Sequence, residues 1–233
     1  MKQVQPHGFN RRRVQQLLSK ARYERLAGRR IEVLSRQFLG SSYKPNPLIG
    51  SAHTPEVFTV SLEGFDCVTY IETVLALARA DSVDDFIKYL RKIRYEQGRV
   101  QWDRRNHYMT GWIGNNLRDG IIGPISISAV PLVSRQRVLN VVPGLAAQPT
   151  CVRCVPKHAT RRLEPLLEDG DLIFFASTRK NLDVFHTGII VRNDGKLILR
   201  HASRSRGLVV DQELSEFLKA NRMAGVIVAR PQG

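Results

Sequence analysis

Apolar residues recur at helical spacing through the first forty positions. Val14, Leu17, Leu18, Tyr23, Leu26, Ile31, Leu34 and Phe38 form one stripe, which predicts a single amphipathic helix over residues 10–39. Gly28 weakens its middle, and Gly40 ends it as a glycine does past a helix C-terminus. Residues 41–64 carry Pro45, Pro47, Gly50 and Pro55 and read as irregular, apart from a short strand at 56–62. Asp66 is a natural N-cap for a helix over 67–80, with Val68, Ile71, Val74, Leu75 and Ala78 on one face. Ser82 caps a second helix that runs to about residue 97. Residues 99–116 are aromatic and basic, and 117–165 have mixed patterning with repeated Gly and Pro breaks.

The last third changes period. Residues 171–176, 184–191, 197–202, 208–210 and 224–230 read as strands, with a helix near 213–220. Asn193-Asp-Gly195 is a two-residue hairpin signal that sets two of these strands side by side. Helices followed by a meander of strands predict an α+β protein, its helices packed on an antiparallel sheet.

The formal charge of +15 raises the question of a nucleic-acid partner. Residues 1–40 hold ten Lys and Arg against Glu24 and Glu32, and 151–162 add Arg153, Lys157, Arg161 and Arg162. The excess therefore sits on one helix and one loop without a nucleic-acid motif, and no nucleic acid is expected. No run approaches the ~20 apolar residues that span a bilayer, so no membrane span is expected. No apolar segment follows the basic N-terminus, which reads as cytoplasmic; a missing leader would place the protein in the periplasm or cell envelope. The oligomeric state is not legible.

Three cysteines are too few for a disulfide framework. Cys151, Cys154 and His158 supply at most three metal ligands, so this C-x-x-C reads as ordinary loop cysteines and no metal site is expected. Cys67 differs in context. In the first turn of a helix, unsatisfied backbone N–H groups favour thiolate and can hold a developing oxyanion. His186 opens one predicted strand and His201 closes the next, so the hairpin can make the two rings neighbours. One would take the Cys67 proton and the other would orient it, the arrangement a thiol nucleophile requires.

The runs Phe65-Asp-Cys67-Val-Thr-Tyr70, His186-Thr-Gly-Ile-Ile190 and Leu199-Arg-His201-Ala-Ser203 with Gly207-Leu-Val209 resemble the NlpC-type superfamily of papain-like cell-wall hydrolases. Leu39-Gly-Ser-Ser-Tyr43, Asn46-Pro-Leu-Ile-Gly50 and Arg105-Asn-His-Tyr-Met-Thr-Gly-Trp112 narrow the resemblance to its N-acetylmuramoyl-L-alanine amidase-like branch. In the commoner endopeptidases the tyrosine stands much closer to the cysteine; here it lies 24 residues before Cys67, across an insertion.

The resemblance implies a papain-like NlpC-type fold with helices packed on a five- or six-stranded antiparallel sheet. It covers residues of about 30–116 and 168–230. A basic helical extension over 1–29 would then precede an amidase domain over 30–233, with an insertion or variable region about 117–165. The implied reaction is hydrolysis of the N-acetylmuramoyl–L-alanine bond, or its anhydro-muramoyl form, in peptidoglycan fragments, with no cofactor and no metal. Cys67, His186 and His201 would be catalytic and Tyr43 would polarise the carbonyl. Asp66, Arg104, Arg105, His107, Tyr108 and Trp112 would bind substrate. Two alternatives remain: a γ-D-glutamyl endopeptidase, and an inactive hydrolase-like core that binds nucleic acid.

Overall fold

The structure is a computed structural model that describes residues 9–128 and 130–233. The start of the expected N-terminal extension, residues 1–8, and Ala129 lie outside them. The helices are α1 (Arg11–Lys20), α2 (Ala27–Arg36), α3 (Cys67–Ala78), α4 (Val83–Arg94), α5 (Met109–Arg118) and α6 (Leu214–Ala220). The strands are β1 (Ser42–Tyr43), β2 (Ile49–Ser51), β3 (Thr54–Val57), β4 (Gly64–Phe65), β5 (Ile122–Pro124) and β6 (Val133–Leu139). They continue as β7 (Gln148–Pro156), β8 (Leu172–Ala176), β9 (Val184–Asn193), β10 (Lys196–Ser203), β11 (Leu208–Glu213) and β12 (Gly225–Pro231). The chain divides into two compact units, one running up to Asn106 with Ala202–Val210 and Gly233, the other comprising His107–His201 and Asp211–Gln232.

In the first unit the expected single N-terminal helix is two. α1 closes where the Ala21 N–H reaches the Leu18 carbonyl and the Arg22 N–H that of Ser19, and α2 begins after Leu26. Tyr23 and Leu26, read from the sequence as buried, fall in this break and are 86% and 72% exposed. The other members of the stripe, Val14, Leu17, Leu18, Ile31, Leu34 and Phe38, are buried. α3 corrects a second expectation: it is not amphipathic but buried on all sides, with every residue from Thr69 to Leu77 inside. One of these is Glu72, which requires a charge partner at that depth. Arg94 on α4 supplies it at 2.7 Å and also donates to the Thr59 carbonyl at 2.6 Å. β2 and β3 form a separate hairpin, so the expected strand at 56–62 is shorter and starts earlier. β1 runs parallel to β4 and antiparallel to β11.

In the second unit β10, β9, β8, β12, β7 and β6 lie in that order, and β5 adds to β12. The Asp194-Gly195 turn joins β9 and β10, both residues at positive φ, as this hairpin type requires. Residues 117–156, which showed no clear period, contribute β5, β6 and β7. Most β6 side chains are at least partly exposed, so burial imposes no apolar alternation there. In all, ten strands form one sheet of mixed sense. This overturns the papain-like NlpC-type expectation of helices on a five- or six-stranded antiparallel sheet. The sheet is larger because β1, β4 and β5 to β7 join the five strands of the meander, and mixed because β1 and β4, two residues each, pair in parallel. Among the described residues no helix is long and apolar enough to cross a membrane.

Candidate active site

Cys67 is the first residue of α3 and a half-buried, reduced thiol. The turn that presents it is held by a reciprocal cap. Asp66 Oδ1 accepts from the Val68 and Thr69 amides at 3.1 and 2.8 Å, and Thr69 Oγ1 accepts from the Asp66 amide at 3.0 Å. The cap thus occupies two of the first-turn amides, those of Val68 and Thr69. Asp66, expected on resemblance to touch substrate, is engaged in this cap.

Tyr43 reaches the same place through strand pairing. Its amide donates to the Gly207 carbonyl at 2.7 Å on one side, and Lys44 donates to the Phe65 carbonyl at 2.8 Å on the other. The register sets Tyr43 opposite Phe65, two residues before Cys67. Burial raises the Tyr43 phenol pKa, the negative charges of Cys67 and Asp66 raise it further, and Arg204 lowers it. The phenol therefore keeps its proton at neutral pH and can donate to an oxyanion. Arg204 was not singled out from the sequence. It stands exposed on the turn after β10, and no sequence signal separates it from other surface arginines.

In the second unit the two histidines are brought together. His186 Nε2 lies 2.6 Å from His201 Nδ1, with the rings nearly perpendicular. Phe217 on α6 stacks on His186 at 5.3 Å and meets His201 edge-on at 5.5 Å, while Phe175 faces His186 across the β8–β9 ladder. A β-bulge where Phe175 and Ala176 pair with β9 aims this end of the strand. Apolar enclosure, and then the nearby His201 charge, lower the His186 pKa to about 3. The ring rests neutral.

That shift has a testable sign. Between pH 6.5 and about 3 the unfolded chain binds a proton at His186 that the folded chain does not. Stability should therefore fall as pH drops through this window, with a limiting slope of about 1.4 kcal/mol per pH unit. Denaturant unfolding of wild type and His186→Phe at several pH values checks it. Wild type should lose stability relative to the variant only below pH 6.5.

Gly188 explains the spacing of the His-x-Gly run. A Cβ there would lie 2.6 Å from Leu199 Cδ1 and 3.0 Å from both the Arg200 carbonyl and His201 Cβ. Leu199 can swing away, but the backbone and His201 would have to move. Gly188→Ala should therefore cost only about 1–3 kcal/mol of stability. Its kcat should fall much further, by about tenfold or more, because catalytic geometry tolerates small displacements poorly. An activity loss no larger than the stability loss explains would count against this role.

Asp183, also missed in the sequence, anchors the start of β9. It is buried and accepts from the Thr110 amide and hydroxyl at 2.7 and 2.9 Å and from the Val184 amide at 2.7 Å. It thereby caps α5, whose own N-cap, Tyr108, offers no side-chain cap. That missing local cap was the available signal.

The expected substrate-binding stretch is largely engaged inside the protein. Trp112 is fully buried against Phe174, and Tyr108 is buried with its hydroxyl accepting from the Val142 amide. Arg105 grips both Glu56 oxygens at 3.1 Å, and Glu56 also accepts from Tyr95 at 2.7 Å, which braces the β2–β3 hairpin. Arg104 pairs with Glu96 at 2.8 Å and keeps part of its side chain in solvent; His107 is half-buried. Cys151 and Cys154, expected in a loop, lie on β7, the first exposed and the second buried. Three residues apart on a strand, they point to opposite faces and cannot grip one ion together.

The first unit thus presents a cysteine at a capped helix start with a tyrosine on a strand paired to the preceding segment, and the second unit presents a close histidine pair. The family described as AmiA-like, N-acetylmuramoyl-L-alanine amidase-like, matches residues 33–226, and the chain belongs to that family. An N-acetylmuramoyl-L-alanine amidase from Bacteroides uniformis is 27% identical, with TM-score 0.78 over 89% of this chain and 99% of that one. A Legionella pneumophila protein shares the fold at TM-score 0.84 and 20% identity, over 96% and 94% of the two chains. A Bacteroides fragilis protein named as a xylanase is 26% identical, with TM-score 0.73 over 84% and 98%. No curated protein matched in sequence.

Proposed function

We propose that this chain is a cysteine amidase that hydrolyses the bond between N-acetylmuramic acid, or its anhydro form, and L-alanine in peptidoglycan fragments. The carrying observation is the 2.6 Å contact between His186 Nε2 and His201 Nδ1. It supports a reading in which His186 Nδ1 is the base and His201 holds its tautomer. Cys67 gives its proton to that nitrogen as Sγ attacks the lactyl carbonyl. Tyr43 and the Cys67 amide hold the oxyanion. His186 then protonates the alanine nitrogen, the C–N bond breaks, and a thioester remains. Water loses a proton to His186 and attacks the thioester, releasing the muramic acid carboxylate and restoring the thiol.

Because His186 rests neutral, it becomes charged only as negative charge develops beside it. This reading favours concerted general-base action over a standing thiolate–imidazolium pair. The insertion between Tyr43 and Cys67, which includes the braced β2–β3 hairpin, favours the amidase over the endopeptidase reading.

Incubating the protein with N-acetylmuramoyl-L-alanyl peptides and weighing the products tests the assignment. Free N-acetylmuramic acid plus an intact peptide beginning with L-alanine is the expected result. Cleavage after D-glutamate would convert the reading to endopeptidase, and hydrolysis of xylan alone would end it.

A further inference from the structure

The break between α1 and α2 leaves a feature that the amide chemistry does not use. Tyr23 and Leu26 have the highest exposure among the large apolar side chains described. They stand among cations. Arg22, Arg25 and Arg29 are exposed beside them, and the Arg22 guanidinium lies 5.9 Å from the Tyr23 ring centre. Residues 11–30 carry eight Arg and Lys against Glu24 alone. Asp84 and Asp81 pair with Arg11 and Arg30, at 3.0 and 3.2 Å.

We propose that the turn at residues 21–26, with the basic side chains around it, docks on an anionic lipid bilayer. The arginines match the charge of the headgroups, and Tyr23 and Leu26 enter the interfacial layer, where amphipathic and aliphatic side chains gain from leaving water. A soluble polyanion would satisfy the arginines but would leave Leu26 without apolar cover, which is why the bilayer is the occupant favoured here. The surface does not rest on the cysteine reading and holds whether or not the chain cleaves amides.

The test is sedimentation of the full chain with vesicles of phosphatidylcholine alone and of phosphatidylcholine with phosphatidylglycerol. Binding is expected on the anionic vesicles only, and weaker by about tenfold when salt rises from about 0.1 M to about 0.5 M. The double variant Tyr23→Ser with Leu26→Ser should lose at least about tenfold in affinity with unchanged melting temperature, because both side chains are already in water. Arg22→Gln with Arg25→Gln should weaken binding to a similar degree. Equal binding by the serine variant and wild type would overturn the proposal and leave a plain polyanion surface. Absence of binding to anionic vesicles, or equal binding to neutral ones, would also overturn it.

Discussion

Replacing Cys67 with serine should lower turnover on a muramoyl-L-alanyl peptide by at least about four orders of magnitude. The oxygen is close in size and can occupy the first turn of α3 without disturbing the Asp66–Thr69 cap, so the melting temperature should barely change. Two companion variants sharpen the result. Tyr43→Phe removes the proposed oxyanion donor and should cost about two to three orders of magnitude in kcat with little change in KM. His201→Ala removes the partner of His186 and should reduce kcat with an altered pH profile, since the base then loses its fixed tautomer. Steady-state kinetics with each variant checks all three. Activity surviving in Cys67→Ser would remove the nucleophile from the proposal while leaving the family membership intact.

The largest effect on stability should come from Arg94. Its guanidinium and the Glu72 carboxylate are both almost wholly buried, 2.7 Å apart, on α4 and α3. Arg94→Met strands a carboxylate in the core, which typically costs about 3–5 kcal/mol. Glu72→Met leaves Arg94 in the same position with the sign reversed. The double variant should recover much of the loss, because two apolar side chains of similar length need no charge partner there. Urea unfolding of the four proteins measures the coupling. Additive losses would show that the pair acts through its separate contacts, such as the Arg94 bond to the Thr59 carbonyl, and not as a pair.

What the chain determined by itself was local. Asp66 and Ser82 cap α3 and α4 as their residue types require, because a short oxygen-bearing side chain satisfies amides a few residues away. Asn193-Asp-Gly195 sets the β9–β10 hairpin, since its positive φ values select those residues, and the hairpin in turn carries His186 to His201. Tertiary structure decided whatever depends on what lies across a face. The stripe at 10–39 continues through Tyr23 and Leu26, yet the chain turns there, because periodicity records which residues could share a face and not whether a neighbour arrives to cover it. α3 is enclosed on every side, and the partner of its Glu72 comes from another helix, 22 residues away. β1 and β4, at two residues each, leave no period to read, yet their pairing brings Tyr43 beside the segment that ends in Cys67. β5 to β7 enlarge the sheet beyond the antiparallel meander because a partly exposed strand needs hydrogen-bonded neighbours more than it needs apolar side chains. Asp183 caps α5 from 73 residues downstream, and only the folded chain could bring that carboxylate to an amide whose own neighbours supply none.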